Sequence, residues 1–266
     1  AYVDHPSFGT AVISRVLEAE GLRVAVLAQP DWHDAEAFRA MGRPRLGVFI
    51  GAGNLDSMVA HYTAAKRRRS EDFYSPGKRT GCRPDRAAIV YCNRAREAFG
   101  PDMPIILGSL EASLRRFAHY DYWDDQVRRA ILFDAPADLL VYGMGEAATI
   151  EIAHRLKKKQ SVRTMTDIPG TGYITRDPSV CKFDHITLPS FEDVRDDKRL
   201  YAEATRTEYA EHDPIRGRAM IQPCEGRYLV INPPAMPLDT KELDRVAELP
   251  YTREWHPMYE PLGGVP

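Results

Sequence analysis

Cysteine is scarce in this chain: Cys82, Cys92, Cys181 and Cys224 are the only four in 266 residues. No pair has the close spacing of a zinc knuckle or an iron–sulfur run, and four scattered thiols do not make a disulfide framework. Free thiols in a reducing cytoplasm are the expectation that follows. Long hydrophobic runs are missing too. Nothing approaches the ~20 apolar residues that a bilayer requires, and no basic start followed by an apolar stretch marks a secretory signal. Neither sign of charge dominates: 36 Lys and Arg against 38 Asp and Glu leave −2, which argues against a general polyanion binder. G-x-S-x-G, P-loop and H-E-x-x-H patterns are absent, so the hydrolase and NTPase classes they mark lose support.

What is present is an ordinary globular composition, 44% hydrophobic and 28% charged, in a chain long enough for one large α/β domain or one domain with an appendage. Up to about residue 155, apolar runs alternate with amphipathic stretches. Residues 23–29 (RVAVLAQ), 46–51 (LGVFIG), 104–108 (PIILG) and 138–143 (DLLVYG) predict strands. Residues 10–20, 34–41, 55–66 (behind an Asn54 cap), 84–99, 122–132 and 147–157 predict helices. Near-continuous apolar strands separated by helices imply a parallel sheet covered on both faces. Only Ala1 to Val3 precede the first loop and helix, so the first, central strand is expected to be truncated or to lie upstream. Beyond Ser161 the alternation stops. There the pattern predicts a hairpin (170–176 with 180–188), one polar helix (191–212), a strand pair (220–222 with 228–232) and a short helix (241–247). The expected organisation is a Rossmann-like α/β domain over 1–160 and a small α+β appendage or linker over 161–266.

In an open α/β sheet, ligands bind outside the carboxyl ends of the strands. The loop before the first helix carries Asp4, His5, Ser7 and Gly9; it reads equally as an anion-binding loop or as a capped turn. Gly51-Ala52-Gly53 begins a dinucleotide fingerprint, but Asp56 occupies the third glycine position, so a tight turn closed by Asn54 is the better reading. After the third apolar run come Glu111, Ser113, Arg115 and Arg116, placed either to hold a polar ligand or to form a structural ion-pair network. After the fourth, Gly143, Gly145 and Glu146 form a permissive turn with a carboxylate at the start of a helix. His119, Asp121 and Asp125 can be drawn as a hard-metal site, yet such residues before a helix more often cap it, and no metal site is assigned. The run Lys66-Arg67-Arg68-Arg69, with Lys78, Arg79, Arg83 and Arg86, reads as a phosphate- or RNA-binding segment or as a solvated face diluted by Glu71 and Asp72.

Three strings, AYVDHPSFGTAVISRVLEAEGLRVAVLAQPDW, ASLRRFAHYDYWDDQVRRAILFDAPADLLVYGMGE and LPYTREWHPMYEPLGGVP, together resemble the N-terminal region of YgiQ-type radical SAM proteins, over nearly the whole chain. The resemblance implies a Rossmann-like domain similar to cobalamin-binding domains, lying ahead of a radical SAM barrel in the same polypeptide. The full-length protein is then expected to bind [4Fe–4S] and S-adenosylmethionine and to cleave the latter to a 5′-deoxyadenosyl radical. This region would cover the barrel mouth as an accessory domain, with no cofactor of its own and an open substrate identity. Gly143, Gly145 and Glu146 match the G-x-G-E turn of such domains. Two motifs are not met. The cluster-binding C-x-x-x-C-x-x-C is absent, and of the cobalamin motif D-x-H-x-x-G only Asp4 and Gly9 have the right spacing, His5 standing one place too early. A cobalamin- or nucleotide-like cofactor module and an RNA-binding module using residues 66–86 are the alternatives. The expected site residues are Asp4, His5, Ser7, Asn54, Glu111, Ser113, Arg115 and Arg116.

Overall fold

The computed structural model of the chain describes residues 2–266. Its elements run α1 (Gly9–Ala19), β1 (Val48–Ile50), α2 (Ser57–His61), α3 (Ala87–Phe99), β2 (Ile105–Leu107), α4 (Ser109–Leu114), β3 (His119–Asp121), β4 (Gln126–Arg128) and α5 (Ile131–Asp134). They continue with β5 (Leu139–Val141), α6 (Glu146–Lys157), β6 (Thr171–Thr175), β7 (His185–Thr187), α7 (Phe191–Asp196), α8 (Lys198–Ala210), β8 (Ala219–Cys224), β9 (Arg227–Ile231) and α9 (Thr240–Ala247).

Seven strands form one sheet in the order β1-β2-β5-β6-β9-β8-β7, and β3 with β4 makes a separate hairpin. β1, β2 and β5 are parallel. β6 and β9 follow antiparallel, β8 is antiparallel to β9, and β7 runs parallel to β8. The fold is thus α/β, as expected. Strand side chains alternate between faces. Ile105, Leu107, Leu140, Leu229 and Ile231 pack with α3 and α5 on one face, while Ile106, Leu139, Val141, Ile221 and Val230 pack with α6 on the other. α1 lies behind α6, where Val12 and Val16 meet Val246 of α9 and Ile150.

Several expected elements come out differently. Residues 23–29 belong to no strand, and none of them is buried; β1, flanked only by β2, is the edge of the sheet. The helix expected over 122–132 is instead the β3–β4 hairpin followed by the short α5. Asp121 enforces the turn by accepting from the Trp123 and Asp124 amides (2.9 and 3.2 Å) and pairing with Arg86. The hairpin expected between 170–176 and 180–188 does not form. β6 is inserted between β5 and β9, and β7 pairs with β8 at the far edge. The single helix expected over 191–212 breaks at Asp197, whose side chain caps α8 at Arg199 N–H. The strands after residue 161 therefore complete the same sheet that the earlier ones begin.

The N-terminal segment joins the C-terminal tail rather than the sheet. Val3 bridges Trp255, the Asp4 amide donates to Glu254 O, and Arg253 donates to Asp4 O. The buried Asp4 carboxylate accepts from Arg15 Nε and from the Thr252 amide. Arg15 holds the Asp4 carboxyl down at about 2. Because the folded state lowers this acid, its contribution is present above the unfolded value of 3.8 and is lost as pH falls towards 2. Asp4→Asn is expected to cost about 2 kcal/mol at pH 7 and to flatten the loss of stability between pH 4 and 2. Urea unfolding at pH 7 and at pH 2.5 reads both effects; a variant as stable as the parent at pH 7 refutes them.

Candidate functional site

β1, β2, β5 and β9 end on one edge of the sheet, where β6 and β8 begin. Two polar centres occupy this edge. The first is built around Glu111 of α4, whose carboxylate is 1% exposed. Its Oε2 accepts from the Ser57 amide at 2.9 Å and its Oε1 from the Ala88 amide at 3.0 Å. Ser57 Oγ accepts from the Ala87 amide. α3 needs these acceptors from elsewhere because the residue before it, Arg86, is left-handed (φ 51°) and offers no capping side chain. Asp56, not Asn54, caps α2 by accepting from the Met58 and Val59 amides, and it also pairs with Arg115. Asn54 is exposed. Ser109 Oγ accepts from the Ala52 amide, locking the turn after β1 against the start of α4. Ser113 Oγ donates to Ser109 O within its own helix. Glu111, Asp56 and Arg115 thus have their bonds filled from within the chain.

The second centre is built around Arg116. Its guanidinium lies 5.2 Å from the Phe117 ring centroid and 5.0 Å from that of Tyr142, the residue after β5. Nη1 donates to Ser113 O at 2.7 Å, but Nε is buried with no acceptor. Among the described residues no carboxylate forms an ion pair with Arg116. The carboxylate whose charge it feels is Glu208 near the end of α8, without a shared hydrogen bond. Burial pushes the Glu208 carboxyl up to about 7, with Arg116 acting in the opposite direction. Burial pushes His212 down, and Arg116 adds to that. The His212 ring stands 6.1 Å from that of Tyr142. Tyr142 OH donates to the backbone oxygen of Asn232, the residue after β9, at 2.6 Å. Asn232 spends its amide nitrogen on Thr166, Ile168 and Thr171, and its Oδ1 is buried without a partner.

The other expected residues fall around these centres. Among the described residues, no hydrogen bond or ion pair joins the loop 4–9 to the turn 51–56 or to 108–116. His5 Nδ1 accepts from the Ser7 amide, Ser7 is exposed, and Gly9 opens α1. Gly143 is left-handed (φ +70°), and a Cβ on Gly145 would stand 2.9 Å from Val141 Cγ1. That close approach requires glycine at the start of α6. Glu146 begins α6 with one buried, unpartnered oxygen. Tyr142, Glu208, His212 and Asn232 were absent from the sequence expectation. Tyr142 alone carried a signal, as the polar aromatic closing an apolar run at a strand end.

In other regions most charges are occupied. In the basic segment, Lys66 lies over Tyr122, Arg68 pairs with Asp85, and Arg69 donates to backbone oxygens. Lys78 pairs with Glu71, Arg83 with Asp72 and Arg86 with Asp121. That internal use weakens the RNA-binding reading. An open groove of about 500 Å³ lies at the opposite end of the sheet, lined by Phe133, Asp134, Thr175, Arg176 and Arg227 among others. Asp134 there is paired with Arg128 and Arg129, and Arg227 rests on Phe133. Among the described residues no group of three or more His, Cys, Asp or Glu side chains is placed to hold a metal ion. Cluster ligation needs thiolates, yet burial pushes the Cys92 thiol up and the Cys224 thiol up to about 12. Among the described residues the cysteines are not gathered in a way that fits an iron–sulfur cluster. Among the described residues no helix is long and apolar enough to cross a membrane.

These features define an α/β domain with an under-paired arginine at the carboxyl edge of its parallel strands. The chain belongs to the Radical SAM N-terminal family, which matches residues 1–266. It is similar to a UPF0313 protein of Clostridium botulinum (strain 657), 54% identical over 266 residues, covering 100% of this chain and 41% of the relative. It is also similar to a UPF0313 protein of Clostridium perfringens (strain SM101), 53% identical over 265 residues, covering 100% of this chain and 40% of the relative. The chain thus spans about two fifths of the length of these relatives. No solved structure matches it significantly.

Proposed function

We propose that this chain is the substrate-side domain of a radical SAM enzyme and closes over the radical SAM part of the same polypeptide. Reductive cleavage of S-adenosylmethionine to a 5′-deoxyadenosyl radical, with its [4Fe–4S] cluster, is assigned to that other part; no step of it runs through residues of this chain. The role here is to cover the reacting centre, exclude water and present the substrate. The observation that supports this reading is the apolar rim of the carboxyl edge. Leu110 and Leu114 on α4, Met144 after β5, Tyr209 and Ile215 before β8, and Met236 after β9 are between 43% and 87% exposed. Large side chains gathered at one edge of a domain mark an interaction surface.

Methionine oxidation in the full-length protein tests the docking. Met41, 63% exposed and preceding β1 at the opposite edge, serves as the internal reference. Met144 and Met236 are expected to oxidise about tenfold more slowly than Met41, as side chains covered by a packed partner do. Equal rates for all three would remove the docking edge.

A further inference from the structure

The geometry points to a carboxylate-binding site at Arg116, in which the guanidinium receives a carboxylate group of the substrate between the rings of Phe117 and Tyr142. This rests on the substrate-side reading for its biological meaning, though not for its chemistry. Buried polar groups are nearly always satisfied, so an arginine Nε held inside the protein with no acceptor calls for one. Arg116 is fixed for that purpose. Its Nη1 is anchored on Ser113 O at 2.7 Å, and its plane is packed by two buried aromatic side chains. The Nε edge of a guanidinium so held presents a planar fork that matches the two oxygens of a carboxylate.

Charge balance selects among anions. Among the described residues facing this centre, Arg116 is the cation that stays charged at neutral pH, since burial pushes His212 towards its neutral form. The other ionisable groups facing it are Glu208 and Tyr142. Burial pushes the Glu208 carboxyl up, towards its neutral form, and holds Tyr142 neutral. One positive charge matches one carboxylate. A phosphate monoester would bring a second negative charge beside Glu208, and among the described residues no second cation faces it. The contrast with Arg115 is instructive: one residue earlier, the guanidinium is already paired with Asp56. Arg83, the most buried arginine of the neighbouring loop, is likewise paired with Asp72 at 2.9 Å.

The experiment uses the full-length protein and [2-¹³C]acetate as the probe, followed by line broadening in NMR. Wild type is expected to broaden acetate saturably, and inorganic phosphate at equal ionic strength is expected not to displace it. Arg116→Lys keeps the charge and removes the fork; acetate binding is expected to weaken about tenfold or more, the loss of a bidentate charge-assisted pair. Should that variant misfold, phenylglyoxal labelling of wild type gives an independent reading. Acetate is expected to slow modification of Arg116 but not of the exposed Arg67. Absence of acetate binding, unchanged binding in Arg116→Lys, or displacement by phosphate would each overturn the proposal. Acetate binding together with freely oxidised Met144 and Met236 would keep this site and remove the docking edge. Protected methionines without acetate binding would do the reverse.

Discussion

Replacing Glu111 with alanine is expected to destabilise the domain by about 3–5 kcal/mol, a large fraction of the 5–15 kcal/mol that holds a typical domain together. The reason is local and countable. The Ser57 and Ala88 amides both donate to this carboxylate inside the protein, and each orphaned donor costs about 1–3 kcal/mol. The removed side chain also leaves a hole between α2, α3 and α4. Glu111→Gln is expected to fare little better, because its NH2 group must face one of two N–H donors. Ser113→Ala, in contrast, removes a bond within one helix turn at a half-buried position and is expected to cost under about 1 kcal/mol. Urea unfolding of the three variants checks the order. A Glu111→Ala protein as stable as the parent would return this carboxylate to the list of ligand groups.

LGVFIG, PIILG and DLLVYG were recognisable as strands because β1, β2 and β5 are apolar over short runs, β2 and β5 being buried on both faces. Arg115 and Arg116 were both recognisable as residues leaving a strand end, but not their different fates. Which arginine finds a carboxylate depends on where Asp56 and Glu208 arrive, and Glu208 arrives from 92 residues further on. The insertion of β6 between β5 and β9 was equally hidden. Its pairing is antiparallel and long-range, and a local turn at Asp177–Pro178 suggested a hairpin partner that tertiary pairing overrode. The tail's grip on Asp4, across 248 residues, had no local signature at all.

The organisation of the chain yields the second large effect. The βα alternation, closing near Lys159, predicts that a fragment ending at Ser161 keeps a foldable core. The topology supports the opposite result: such a fragment is expected to show no cooperative unfolding transition. β5 would lose its neighbour β6 and become an open edge built of Leu139, Leu140 and Val141, a pairing hazard in solution. One face of the sheet would lose Leu188, Met220, Leu229 and Ile231 from its core. The other would lose Met165, Ile168, Tyr173, Ile221 and Val230. Burying a side chain of this kind contributes about 1.5–3 kcal/mol, so nine of them outweigh the net stability of a domain. α1 would lose Val246, and Asp4 would lose the Thr252 amide. Urea titration followed by far-UV circular dichroism and tryptophan fluorescence decides the matter. Coincident, sharp transitions in the fragment would show that the first three parallel strands and their helices suffice. A broad, probe-dependent loss of signal would show that the later strands are part of one cooperative core.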